Sequence, residues 1–343
     1  MNRKGLATGL ILLLIGTSII PITAQDIEKS SPQTSSRGNW LYVGGSGPGN
    51  YTRIQDAVDN ATDNDTVFIY DDSSPYYENV VINKASISLI GEDKNTTVID
   101  GDKTMGCVVL IYVDNVKIAG FMVINGYAGI YMNSHFNTII GNNICFNEYS
   151  GIYFEDGSSN VIAGNTLFEN GNFGIFLEFV SKVDLIDNVI FSNEDGIGIF
   201  DSHDINLIDN VIFSNNDTGA NIYATHICTI TGNIISNNSK KGMSISISSH
   251  NLIRRNTFQN NFLCFLIGLG NNNSIEENNF IDNTINAYSN VGEVWLANYW
   301  DNWIGLKFHG PICQRFPKII PGFPFPKFDW HPAQEPYDIG GRC

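Results

Sequence analysis

Three sets of side chains in this sequence have types and spacings that could do chemistry. Glu155 and Glu178 stand 23 residues apart. Phe168, Phe191 and Phe213 follow at steps of 23 and 22, and His203 and His226 are again 23 apart. If such steps bring residues side by side, each set has a use. Two carboxylates about 5 Å apart have the spacing of a retaining glycosidase pair and would perturb each other's ionisation. Three outward rings in a row make a platform for sugar rings or a partner surface. Two imidazoles one step apart could share a metal ion. Each set has a plainer reading beside it. Outward Glu residues on a repeat are solvated, rings fold back over a turn, and the histidines share a turn position with His135, Ser158, Ser181 and Ser249.

The spacing itself comes from a repeat. "LIDNVIFSN" runs from Leu185 to Asn193 and again from Leu207 to Asn215. In the same register, Asn142, Asn165, Asn188, Asn210, Asn233, Asn256 and Asn278 form one column. Asn147, Asn170, Asn193, Asn215, Asn238, Asn261 and Asn283 form a second. A period of 22–23 residues signals a solenoid. Within each repeat the apolar pattern alternates with period two, as in "GIYFE" and "NTIIGN", which specifies strands. The expected fold is all-β: a right-handed three-sheet parallel β-helix. Successive coils should lie about 4.8 Å apart. Ile144, Leu167, Ile190, Ile212, Ile235, Phe258 and Phe280 are one inward stack, and the column from Ile139 to Ile275 is a second. A third starts at Ile130 and Ile152. The Asn columns are expected at turns, where Asn tolerates left-handed backbone and stacked carboxamides bond from coil to coil. A Gly column, Gly129, Gly151, Gly174, Gly196, Gly219 and Gly242, is read as another bend.

A solenoid needs its ends covered. "YTRIQDAVDNA" reads as a short amphipathic lid helix, with Thr52 and Gln55 in capping-box positions. The Pro- and aromatic-rich tail beyond "NYWDNW" is read as the other cap. The domain plan is 1–24 a signal peptide or anchor, 25–47 a linker, 48–297 the β-helix and 298–343 the C-terminal cap. Arg3 and Lys4, the apolar run that follows and "ITA" before Gln25 carry the export reading. A secreted or cell-surface protein is expected. Cys313 and Cys343 are candidates for a disulfide in that compartment. Arg254 is expected to pair with Glu276 one coil away.

Lys and Arg total 19 against 35 Asp and Glu, a formal net charge of −16. That argues against nucleic acid and anionic membrane surfaces as partners, apart from an N-terminal anchor. Polyanionic sugars would also be repelled unless a cation bridged them. The candidate partners left are a glycan or a cell-envelope protein.

The N-terminal "YTRIQDAVDNATDNDTVFIYDDSSPYYENVVINKASISLIGE", the "GNTLFEN" repeats and the closing "NYWDNW" resemble NosD-type β-helix proteins. These belong to the pectin-lyase-like superfamily of carbohydrate-binding and sugar-hydrolysis domains. The resemblance covers most of the chain after the signal. It implies one of three roles: a surface protein, an enzyme on acidic polysaccharides, or an accessory protein for copper delivery. The superfamily's "GHG" and "NTD" motifs are missing, and the single "DD", Asp71 and Asp72, sits in a turn-like stretch. The reading therefore leans away from catalysis. No motif demands a cofactor; copper or calcium are the ions the resemblance would admit.

Overall fold

Runs such as Thr166–Phe168, Val189–Phe191 and Val211–Phe213 bury their middle residue and leave both neighbours half-buried. That is the pattern of a strand with one face inward. The computed structural model describes residues 38–290, 292–303, 317–322 and 325–339, and in it such strands stack in parallel around a common core. Each coil contributes up to three strands, here called first, second and third in chain order. In one coil they are Ala128–Met132, Thr138–Ile140 and Asn143–Cys145. The third sheet has eleven strands among the described residues. The first and second sheets join where Ser150–Ser158 and Phe173–Ile186 run on through the corner.

The inward stacks are in register. Leu167 faces Ile190, which faces Ile212, and Ile162 faces Leu185, which faces Leu207. These residues are fully buried. Each contributes about 1.5–3 kcal/mol.

Between the stacks run the carboxamides. Asn165 makes every bond that its side chain can form. Its Oδ1 accepts from the backbone N–H and the Nδ2 of Asn142, both at 3.0 Å. Its own Nδ2 donates to Asn188 Oδ1 at 3.1 Å and to the Ile139 carbonyl at 2.9 Å. The pattern repeats through Asn188, Asn210, Asn233, Asn256 and Asn278 to Asn298. The second column does the same from Asn147 to Asn283.

Two expectations about the corners need correction. The left-handed residue is the one before each Asn, not the Asn itself. Asp187, Asp209, Arg255 and Glu277 have φ of 54°, 54°, 53° and 51°. The Asn keeps ordinary backbone so that its N–H and its side chain both point along the stack. The Gly column is not a set of bends either, since none of its members has positive φ among the described residues. It lies in the first sheet where the carboxamides pass. A Cβ on Gly196 would sit 2.4 Å from the Gly219 carbonyl oxygen and 3.0 Å from Asn215 Nδ2. Gly151, Gly174 and Gly219 face Asn170, Asn193 and Asn238 in the same way.

The ends differ from the sequence reading in detail. The first strand, Trp40–Val43, pairs with Thr66–Ile69 and so lies inside the stretch read as linker. One short strand followed by a Gly-rich run gives too little alternation to be seen. The lid helix, Ile54–Asn60, lacks a side-chain cap from its own N-terminus. Glu78 caps it from the next coil instead, accepting from the Ile54 and Gln55 N–H groups at 2.8 and 3.1 Å. Gln55 is then free to bond both backbone groups of Val81, on the exposed sheet edge. At the far end Trp300 stacks on Phe280 at 4.1 Å. Asp329, fully buried, takes the place of the next Asn. Its Oδ2 accepts from the Asn298 N–H, Asn298 Nδ2 and Trp300 Nε1. Tyr337 bonds back to Asn279 and Ala297. The export signal and the pairing of Cys313 with Cys343 lie outside the described residues.

Two substitutions test this packing. Gly196→Ala should cost about 2–3 kcal/mol, because the nearest obstacle is backbone; a wild-type urea midpoint would refute the crowding at the Gly column. Asp329→Asn puts an amide nitrogen where N–H groups converge. It should cost about 1–3 kcal/mol and speed hydrogen exchange in the last coils; unchanged exchange there would remove Asp329 as the terminator.

Candidate functional site

The largest continuous set of outward rings lies on the first sheet. Tyr131, Tyr153 and Phe176 each follow an inward Ile by one residue, so the pleat turns them out, in register on successive coils. Ring centroids connect Tyr131 to Tyr153 at 5.4 Å and Tyr153 to Phe176 at 5.2 Å. The line continues to Phe200 at 5.2 Å and Tyr223 at 6.0 Å, and starts at Tyr112, 5.8 Å from Tyr131. Tyr127 and Tyr149 form a parallel pair beside it at 5.1 Å. Tyr112, Tyr127 and Tyr223 are 53%, 39% and 43% exposed, whereas Phe173 and Phe176 are buried. Gly198 explains the burial: the stacked Phe173 and Phe176 rings lean over it, and a Cβ there would meet Phe173 at 2.7 Å. The phenylalanines thus form a floor beneath exposed and half-exposed tyrosines.

Glu155 and Glu178 belong to this strip. They are in register on neighbouring coils. Glu155 Oε2 accepts the Tyr131 hydroxyl at 3.0 Å, and Glu178 Oε2 accepts that of Tyr153 at 3.1 Å. Burial, followed by the bond to Glu155, pushes the Tyr131 phenol up to about 12. Tyr153 is raised by burial and then by the Glu155 and Glu178 charges. Both phenols therefore stay protonated and hold the carboxylates as fixed acceptors. The strip offers ring faces beside hydrogen-bond acceptors at a one-coil repeat.

The row first read as a platform is different. Phe168, Phe191 and Phe213 do stack on the third sheet, at 5.2 and 5.0 Å with interplanar angles of 3° and 16°. Parallel rings this close cover one another's faces, so the row presents edges. The first-sheet strip was missed although Ile130-Tyr131, Ile152-Tyr153 and Ile175-Phe176 carry the same outward signal.

His203 and His226 do pair across neighbouring coils. His203 is exposed; His226 is half-buried, and its Nδ1 accepts the Ser249 N–H at 3.0 Å. Among the described residues no three His, Cys, Asp or Glu side chains converge as a metal site would need. Arg254 pairs with Glu277, not Glu276. The left-handed turn at Glu277 brings its carboxylate to Arg254 at 2.9 Å and Arg255 at 2.8 Å.

With this geometry described, the chain can be set beside known proteins. A family model described as periplasmic copper-binding protein (NosD) matches residues 58–212 and 168–304. A stretch of 93 residues is 32% identical to a cell surface glycoprotein of Methanothermus fervidus, covering 27% of this chain and 15% of that protein. The chain therefore spans only a small part of that relative's length. Among solved structures, XylC in complex with xylose aligns with a TM-score of 0.60 at 10% identity, over 75% of this chain and 69% of that one. Pectate lyase Pel9A aligns at 0.53 and 14%, over 78% and 81%. The A-module of the mannuronan C-5 epimerase AlgE6 of Azotobacter vinelandii aligns at 0.51 and 15%, over 71% and 87%. At these identities the likeness is one of fold.

The family description raises copper, and among the described residues no three His, Cys, Asp or Glu side chains gather to hold it. Copper sites draw on imidazole, thiolate and thioether. Met132 and Met243 are sealed in the core, whereas Met105 is exposed. Burial pushes the Cys145 and Cys228 thiols up to about 12, which keeps them protonated. The His203–His226 pair has no third His, Cys, Asp or Glu beside it among the described residues. Copper(II) titrated into wild type and into His203→Ala/His226→Ala should therefore give superimposable isotherms. A stoichiometric heat that the double variant lacks would reinstate the histidines as ligands.

Proposed function

The chain belongs to the NosD family, and from that premise we propose that it works outside the cytoplasm as a surface β-helix whose first sheet binds a glycan. The family description and the surface-glycoprotein relative support the location. The glycan reading rests on one observation, the strip from Tyr112 to Tyr223 with its Tyr131–Glu155 and Tyr153–Glu178 pairs. Half-exposed tyrosines beside fixed acceptors suit a ligand with apolar C–H faces and many hydroxyls. A purely apolar partner would strip water from the two carboxylates and leave each with its phenol as donor, at a desolvation cost.

Catalysis is the second reading, because Glu155 and Glu178 share a column on adjacent coils. A copper-delivery role is the third, carried by the family description alone.

A glycan array probed with wild type, Tyr131→Ala/Tyr153→Ala and Phe191→Ala separates these readings. The double variant should lose about tenfold or more in affinity for the glycan that wild type selects, as loss of central aromatic anchors does. Phe191→Ala should bind like wild type. Equal binding by all three would sink the assignment to the first sheet. Release of reducing or unsaturated ends by wild type, abolished in Glu178→Gln, would replace binding with catalysis.

A further inference from the structure

We propose that the first-sheet strip selects glycans without acidic groups and turns away uronate and sulfated chains. This inference rests on the glycan reading above and adds the class of sugar. The argument starts from charge placement. The coil segments 149–158, 172–181 and 194–202 hold Glu155, Asp156, Glu178, Glu194, Asp195 and Asp201, and no Lys or Arg. They are stacked coil on coil around the aromatic floor, about 4.8 Å per step. That step is close to the length of one sugar unit, so a chain lying along the axis would meet the acids repeatedly.

Two cations, Lys182 at the corner of the same strand as Glu178 and Lys241 on a later first-sheet strand, stand against these six acids. Lys240 is held by Asp217 at 2.7 Å. Lys103 lines a shallow groove at the corner before Tyr127 together with Glu148 and Glu169, which outnumber it. Burial, and then the charges of Asp217 and Glu194, hold the Asp195 carboxyl above the usual range, against the Thr218 N–H that donates to it and the Lys241 charge.

Hydrogen-bond chemistry points the same way. Glu155 and Glu178 are acceptors whose phenol partners cannot reverse role while protonated. A sugar hydroxyl can donate to them. A uronate carboxylate or a sulfate is acceptor-only and would face acceptors across a surface where acids outnumber cations. Like charges so juxtaposed select against a ligand more strongly than complementary ones select for it.

The test uses the whole chain in low salt with EDTA, which removes any bridging cation. Binding is measured to an uncharged panel of glucan, mannan and galactan, and to polygalacturonate and alginate. The best uncharged polymer should bind at least about tenfold tighter than either polyuronate. The Glu155→Gln/Glu178→Gln variant keeps an acceptor oxygen for each phenol and should narrow that ratio severalfold. Polyuronate binding in EDTA as tight as that of the uncharged panel would overturn the selectivity and leave the glycan reading standing. An unchanged ratio in the double variant would remove these carboxylates as its source. Silence from every polymer would sink the glycan reading, and the selectivity with it.

Discussion

The buried carboxamide sets the terms for the rest of this molecule. An Asn inside a coil has two donors and two acceptor sites, and each one left unpaired costs about 1–3 kcal/mol. Asn165 meets that demand only if an Asn lies one coil before it and another one coil after. The demand passes along the whole stack, with steps of 22 or 23 residues and a last step of 20 from Asn278 to Asn298, and one coil cannot slip against the next. It also reaches sideways. The Nδ2 of Asn215 adds to the crowding by the Gly219 carbonyl and Ile212 where Gly196 would carry a Cβ, so the Gly column and the Asn column fit together. It strains the corner too. Asp187, Asp209 and Arg255 take left-handed backbone, a conformation such residues hold only where the surroundings over-determine it.

A chain of matched donors and acceptors must stop somewhere, and Asp329 is the stop. A carboxylate accepts without needing to donate, so it can receive Asn298 and Trp300 while handing nothing on. An Asn in that place would require another coil. At the N-terminal end the closing groups are different, because the free side there is a helix start and a sheet edge. Glu78 and Gln55 serve those two needs. Each end therefore carries the polar group that ends its own kind of hydrogen-bond series, which keeps the edges from pairing with other chains.

The coil period, the three inward stacks and the Asn columns were legible because each is a repeated chemical requirement, and repetition is visible in a single sequence. The corner geometry was not. "DN" and "GN" pairs mark a turn, but which residue adopts positive φ depends on the ladder bond that the Asn makes. The third polar column was also hidden. It runs through Asn137 and Asn160, gives way to Val183, Ile205 and Cys228, and resumes at Asn251. In the gap Ser202, Thr225 and Ser248 take the backbone donors from three residues upstream, so no single column shows it. The site was half legible. Glu155 and Glu178 were found as a pair, but their phenol partners sit one coil back, in columns that had been read only for their inward neighbours.

Because the inner positions are fixed by stacking, the outer ones are free to vary from coil to coil, and the first and third sheets have used that freedom differently. The third sheet stacks Phe168, Phe191 and Phe213 flat on one another, so the rings satisfy themselves. The first sheet mixes both contacts: Tyr131 meets Tyr153 at 78° and Phe176 meets Phe200 at 82°, whereas Tyr153 stacks on Phe176 at 29° and Tyr127 on Tyr149 at 1°. Edge-to-face contacts leave ring faces uncovered, and the Phe173–Phe176 floor over Gly198 keeps the tyrosines from folding inward. Tyrosine loses little conformational freedom on binding, and one held by a carboxylate loses less. An open sheet has no walls, so any single coil would bind a sugar weakly. Affinity would have to come from several coils engaging one chain at once, as linked weak sites do. A stack of near-identical coils is a scaffold that supplies such sites at a constant step, which is the physical reason to place recognition on its long face and not at an end.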